Sequence, residues 1–226
     1  MKDYKFDSRY SGDWNRESLD GDQEDKKKVL LNSDNRMIYI YGDIDARNCA
    51  DIAYEISSIN IIDDDKESSS KNYTRKPIKI FFNSHGGSVY DMWLLVDTIL
   101  NSTTPVYTYC TGYAMSAAFI AFLAGDKRYM SPHATLMFHQ ISCWRYGKYQ
   151  DIVDDREHMD EMNEEIEKFV LERTKISNDF ILESRKKKRD VYFSATRALE
   201  LSIVDEILSV KTPEVKEPNL NKKKGK

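Results

Sequence analysis

The stretch "IKIFFNSHGGSVYDMWLLVDTIL", residues 78–100, decides how this chain folds. Its first five residues are apolar, β-branched and aromatic around one lysine, which is a strand composition. Gly86 and Gly87 then allow a tight turn, and Ser88 with Asp91 stand at capping-box spacing in front of the apolar, helix-forming run 90–100. Strand, glycine turn and helix in direct succession form the repeating unit of an α/β fold.

The same alternation extends outward in both directions. Upstream, "MIYIY" (37–41) reads as a strand, and "ARNCADIAYEISSI" (46–59) places Cys49, Ile52, Ala53, Ile56 and Ile59 on one helical face behind Asp45 as N-cap. The polar segment "DDDKESSSKNYTRK" (63–76) breaks the pattern and is expected to be an exposed loop. Downstream, "VYTYC" (106–110) is a third strand, followed by a helix within "GYAMSAAFIAFLAG" (112–125), and "TLMFHQ" (135–140) ends another strand. Residues 149–174 form a long amphipathic helix with Ile152, Met159, Met162, Ile166, Phe169 and Val170 at spacings of three and four. A mainly parallel sheet is expected, with sites at the carboxyl ends of its strands.

Composition bounds the function classes. The 226 residues are 40% hydrophobic and 32% charged with a net charge of -4, the balance of one soluble domain with no basic excess for nucleic acid. The longest apolar run, Ala117 to Ala124, is too short to cross a bilayer, and the N-terminus lacks the apolar core of a signal peptide, so a cytoplasmic or cytosol-like location is expected. Cys49, Cys110 and Cys143 are an odd, scattered set that reads as reduced thiols, with neither a disulfide nor a metal site indicated. Residues 1–28 and 209–226 are too polar to bury a core, which leaves 29–208 as the folded domain; the closing "NKKKGK" reads as a solvated charged tail.

Three features could carry chemistry. The turn "NSHGGSVYD" (83–91) can expose backbone N–H groups beside a helix N-terminus, where an anion or oxyanion would be held; no GK[ST] follows, so it is not a P-loop. Ser116 sits among Ala114, Ala117 and Ala118 near the start of a helix, where free N–H groups could stabilise the oxyanion of an acyl transfer. It is not a GxSxG elbow, and close packing accounts for the small residues equally well. His139 ends an apolar strand, either as a satisfied core histidine or as a general base. His133 follows Pro132 in a turn, His158 lies on the polar side of the long helix, and His85 sits inside the glycine turn. With 38 acidic residues, spacing cannot select a carboxylate to orient the histidine.

Taken together, "NSHGGSVYD", "CTGYAMSAAF", "MFHQ" and "KRDVYFSATRALELSIVDEIL" resemble the proteolytic subunit of Clp protease, a self-compartmentalised serine peptidase. The resemblance covers about Val29 to Leu208 and keeps the order and gaps of the family's motifs, with His85, Met115 and Phe138 in place of the family's proline, alanine and isoleucine. It implies the crotonase-like (ClpP) fold, a superhelix of ββα units with the long helix protruding as a handle. Matched position by position, Ser116 is the nucleophile, His139 the base and Asp190 the acid, with the backbone N–H groups of Gly87 and Ala117 as the oxyanion hole.

The resemblance further implies heptameric rings stacked into a tetradecamer, polypeptide substrates added as a strand along Ile141, Ser142 and Cys143, and an AAA+ Clp unfoldase as partner. ATP would be used by that partner, with no cofactor in this chain and no nucleic acid or membrane involved. Phe81, Tyr109 and Leu208 match the apolar pocket that receives the ATPase loops, whereas Asn101 and Thr111 do not suit it, and the strongly polar residues 1–28 stand where the family has its axial gating loops without aligning to them. The segment after HQ, "ISCWRYGKYQD", is poorer in glycine than the family's. Competing expectations are a catalytically silent ring subunit, a crotonase relative that handles acyl-CoA, and a virus-encoded protease acting on capsid or scaffold proteins.

Overall fold

The computed structural model describes residues 29–142 and 146–209. Strands β1 (Val29–Asn32), β2 (Met37–Ile40), β3 (Ile78–Ser84), β4 (Val106–Met115), β5 (Lys127–Met130), β6 (Thr135–Phe138), β7 (Val191–Phe193) and β8 (Glu206–Ile207) join in one sheet. Its main path runs β1-β2-β3-β4-β5-β8, while β6 branches from β4 and carries β7. Only β1–β2 and β6–β7 are antiparallel among these pairs, so the sheet is mainly parallel as expected.

Helices α1 (Ala46–Ser69), α2 (Val89–Leu100), α3 (Ala117–Leu123), α4 (Tyr149–Arg173), α5 (Asn178–Lys187) and α6 (Ala195–Glu200) fill the connections. Asp45 caps α1 by accepting from the N–H of Asn48, and Ser88 caps α2 by accepting from the N–H of Asp91, where the sequence places both caps. The core is continuous: alternate residues of β3 (Ile78, Ile80, Phe82), one face of α1 and α2, and the whole of α3 are buried in it.

Strand β4 is longer than its apolar start indicates and reaches Met115. Its first half pairs with β5 and its second half, Tyr113 to Met115, with β6, so the strand runs from one branch of the sheet into the other.

The expectation of a loop at 63–76 is corrected for its first half. Helix α1 continues to Ser69, and Asp63 has no solvent-exposed surface. Arg36, just after the β1–β2 turn, meets both carboxylate oxygens of Asp63 at 2.5 and 2.6 Å; Tyr73 and Thr104 donate their hydroxyls to it at 2.6 and 2.7 Å. A buried carboxylate with four donors is satisfied, and partners far away in sequence are what a local hydropathy pattern cannot register.

At its other end α4 is locked by Arg173, whose guanidinium donates to the carbonyls of Leu123, Ala124 and Gly125 at the end of α3. Only Met162, Ile166 and Val170 of α4 are buried, whereas Ile152 is 43% exposed; in the first half of the helix His158 meets the hydroxyl of Tyr90 on α2 at 2.9 Å. Cys49 and Cys110 are buried free thiols, and burial pushes both up to about 12. No helix among the described residues is long and apolar enough to cross a membrane. Residues 1–28, Cys143 and the tail from 210 on lie outside the described residues.

Candidate active site

Ser116 occupies the step between β4 and α3 with φ 55° and ψ −126°, a conformation that costs a residue with a Cβ on the order of 1–3 kcal/mol. The surroundings impose it. The Ser116 N–H donates to the Met137 carbonyl at 3.0 Å, and its own carbonyl accepts from Phe119 and Ile120. Although it is the N-cap of α3, its hydroxyl makes no capping bond, which leaves Oγ to the space in front of the helix.

The glycine turn closes over that space. Gly86 has φ 109°, and a Cβ there would lie 2.7 Å from the Cβ of Ser116 and 3.0 Å from the nitrogen of Ala117. At Gly87, with φ 152°, a Cβ would meet the Ile44 carbonyl oxygen at 2.2 Å. Both positions therefore require glycine. Ile44 clamps the turn from below: it donates to the Gly86 carbonyl and accepts from the Ser88 N–H, each at 2.8 Å. The N–H groups of Gly87 and Ala117 have no hydrogen-bond partner among the described residues. Both residues line a cavity of about 50 Å³ together with Ser116 and His139.

Strand β6 positions the other two side chains through its two edges. On one edge Met137 pairs with Met115 of β4, so the residues that follow, Phe138 and His139, run beside Ser116. On the other edge Phe138 pairs with Val191 of β7 in antiparallel register; one further step sets His139 across from Asp190. Opposed residues in such a ladder have Cβ atoms about 5 Å apart. His139 thus lines the cavity of Ser116 on one side and a cavity of about 380 Å³ shared with Asp190 on the other. In the single chain the three side chains share this junction without hydrogen bonds to one another.

Val89, Met92, Ile120, Ile141 and Ile166 wall the cavity beside Ser116 with hydrocarbon. Directly after His139 the chain belongs to no strand or helix, and the Ile141 N–H is taken up by the Asn163 side chain at 3.0 Å. Asn163 is itself held by its bond to the Met159 carbonyl, and Ser142 beside Ile141 is exposed. Asn163 and Ile44 are site residues that sequence reading misses. The signal for Asn163 is a polar residue directly beside Met162 on the inward side of an amphipathic helix; for Ile44 there is none, because it acts through its backbone.

The Clp protease family profile matches residues 22–211. The chain belongs to the Clp protease family. It is 34% identical over 137 residues to proteolytic subunit 1 of the ATP-dependent Clp protease of Shouchella clausii, covering 60% of this chain and 70% of that one. To the subunit of the same name in Rhodopirellula baltica it is 28% identical over 177 residues, covering 77% and 73%. Among solved structures, a ClpP1 mutant from Listeria monocytogenes superposes with a TM-score of 0.66 at 26% identity, over 79% of this chain and 94% of that one. The fold is the ClpP fold, and the activity is that of a ClpP-type serine endopeptidase.

In this Clp protease chain one face of the sheet bears a second feature. Tyr39, Phe81, Tyr109 and Tyr129, one from each of β2 to β5, stack in sequence with ring centroids 4.5, 4.8 and 4.7 Å apart. The register explains the ladder, because Tyr39 pairs with Phe81, Phe81 with Tyr109 and Tyr109 with Tyr129. Leu208 follows β8 and is half-buried, two residues beyond Glu206, which pairs with Tyr129; Asn101 and Thr111 are exposed. The structure thus gathers the aromatic members of the expected docking set on one face.

Proposed function

We propose that Ser116, His139 and Asp190 perform acyl transfer on polypeptide substrates. His139 takes the proton of Ser116 as Oγ attacks a peptide carbonyl, and Asp190 holds the imidazole in the tautomer that can accept it. The two unpartnered N–H groups of Gly87 and Ala117 receive the developing oxyanion, and the amine leaves with the proton carried by His139. Water then hydrolyses the acyl-enzyme by the same route. The hydrocarbon wall of Met92, Ile120 and Ile166 favours an apolar side chain next to the cleaved bond.

The observation that supports this reading above all is the double register of β6, with Met137 opposite Met115 on one edge and Phe138 opposite Val191 on the other. The substrate chain lies along Ile141 and Ser142, where the Asn163 contact must yield or be shared. The subunits assemble as stacked heptameric rings in the cytoplasm, and an AAA+ Clp unfoldase, which spends the ATP, docks on the aromatic ladder. The chain itself needs no cofactor.

A fluorophosphonate will label the native protein at Ser116, and Ser116→Ala will abolish both labelling and hydrolysis of a short fluorogenic peptide. Asp190→Asn will lower kcat by about 10⁴-fold through loss of the correct tautomer. Labelling that survives Ser116→Ala overturns the assignment, and an unlabelled, inactive wild-type particle would mark a silent ring subunit.

A further inference from the structure

The glycine turn that supplies one oxyanion donor has to be held against the strand that carries the nucleophile. The imidazole of His85 stacks on the ring of Tyr113, with centroids 4.3 Å apart and planes inclined by 33°. His85 directly precedes Gly86, and Tyr113 lies on β4 three residues before Ser116. The stack therefore spans the two pieces of backbone whose separation sets the oxyanion hole.

Neighbouring contacts act in the same direction. A bulge in the β3–β4 register falls between Phe82 and Ser84, and the Asn83 side chain covers Gly112 so closely that a Cβ there would lie 2.1 Å from its Oδ1. Inside the turn, Ser84 Oγ accepts from the Gly86 N–H at 3.1 Å. The side chains of residues 83 and 85 thus grip residues 112 and 113 in turn. His85 is exposed and makes no hydrogen bond among the described residues, so its ring face is the contact it offers.

We propose that His85 is a positioning residue, acting through its stack on Tyr113 to keep the Gly87 N–H aligned with the oxygen of the carbonyl attacked by Ser116. The inference rests on the acyl-transfer reading above and adds to it the device that holds the donor. The ring face, not proton transfer, carries the effect.

The test compares His85→Ala, His85→Phe and Tyr113→Ala in the assembled particle, with native mass to verify assembly. Stacking of two rings contributes enough to change a rate by up to about tenfold. His85→Ala is expected to lower kcat and the rate of fluorophosphonate labelling of Ser116 by about that factor with KM unchanged. His85→Phe restores both, and Tyr113→Ala adds nothing to His85→Ala. Hydrogen exchange of the peptide 83–92 supplies a readout that does not depend on the serine: it accelerates in His85→Ala and not in His85→Phe.

Exchange and kcat unchanged in His85→Ala overturn the proposal. So does a His85→Phe variant as impaired as His85→Ala, which would assign the effect to the imidazole nitrogens. An inert Ser116 with exchange still responding to His85 would remove the acyl-transfer reading and leave the latch standing.

Discussion

At the scale of single residues, the site depends on backbone shapes that side chains would forbid. Ser116 is held at positive φ by hydrogen bonds on both sides of it, and Gly86 lies where any Cβ would strike it. Gly86→Ala should fold around the same core but displace the turn from Ala117, with loss of kcat of about 10²-fold or more, the scale seen on removal of one oxyanion donor. Steady-state kinetics on a short peptide check this, and near wild-type kcat in Gly86→Ala would show that the turn can shift without cost. The glycine pair and Ser116 are legible in the sequence as a turn and a helix start. Their mutual contact is not, because residues 86 and 116 meet only once β3 and β4 are paired.

At the scale of elements, β6 carries the site and α1 carries an anchor. Three paired residues on each edge of β6 suffice to bring Ser116, His139 and Asp190 together, since antiparallel register leaves one partner for the next position. Asp63 performs the corresponding task for α1, tying its second half to the β1–β2 turn and the start of β4. The bond from the Arg36 guanidinium, above all, holds the Asp63 carboxyl well below the usual carboxylate range. A folded-state pKa below the unfolded value near 3.9 contributes stability that is complete above that value and is lost as pH falls below it. Asp63→Asn should therefore destabilise the protein by about 3 kcal/mol at pH 7, leaving Arg36 without its counter-charge. Thermal melting at pH 7 and pH 3 checks it: the gap between wild type and variant narrows at the lower pH, and an equal gap at both would show that the charge is not what matters.

At the scale of the whole molecule, one sheet serves two sites. Its carboxyl ends hold the serine, and the face with Tyr39, Phe81, Tyr109 and Tyr129 presents a stacked aromatic surface, with Tyr39 37% exposed. A ladder of this kind offers large apolar area at little cost in side-chain entropy, which suits docking of an apolar loop. Phe81→Ser interrupts the stack at its second ring. It should leave hydrolysis of a short peptide within twofold while removing stimulation of protein degradation by a Clp unfoldase, measured side by side. Equal stimulation of both proteins would dismiss the ladder as the docking face. At the start of α4, Tyr149 and Ile152 are exposed as a second apolar patch.

The sequence by itself determined the parts whose signal is local: alternating strands and helices, the Asp45 and Ser88 caps, the glycine turn, and the motifs by which the chain resembles its family. It named Ser116, His139 and Asp190 through that resemblance, since no spacing rule could choose one carboxylate among 38 acidic residues. Tertiary structure alone decided that α1 runs on through Asp63, because the partners that make a buried carboxylate tolerable lie 27 and 41 positions away in Arg36 and Thr104. It alone decided that β4 runs on from β5 to β6, that Asn163 occupies the N–H of Ile141, and that four aromatic rings meet in a row. Each of these depends on strand register and chain reversal, and a contact between distant residues leaves no period in the sequence by which to read it.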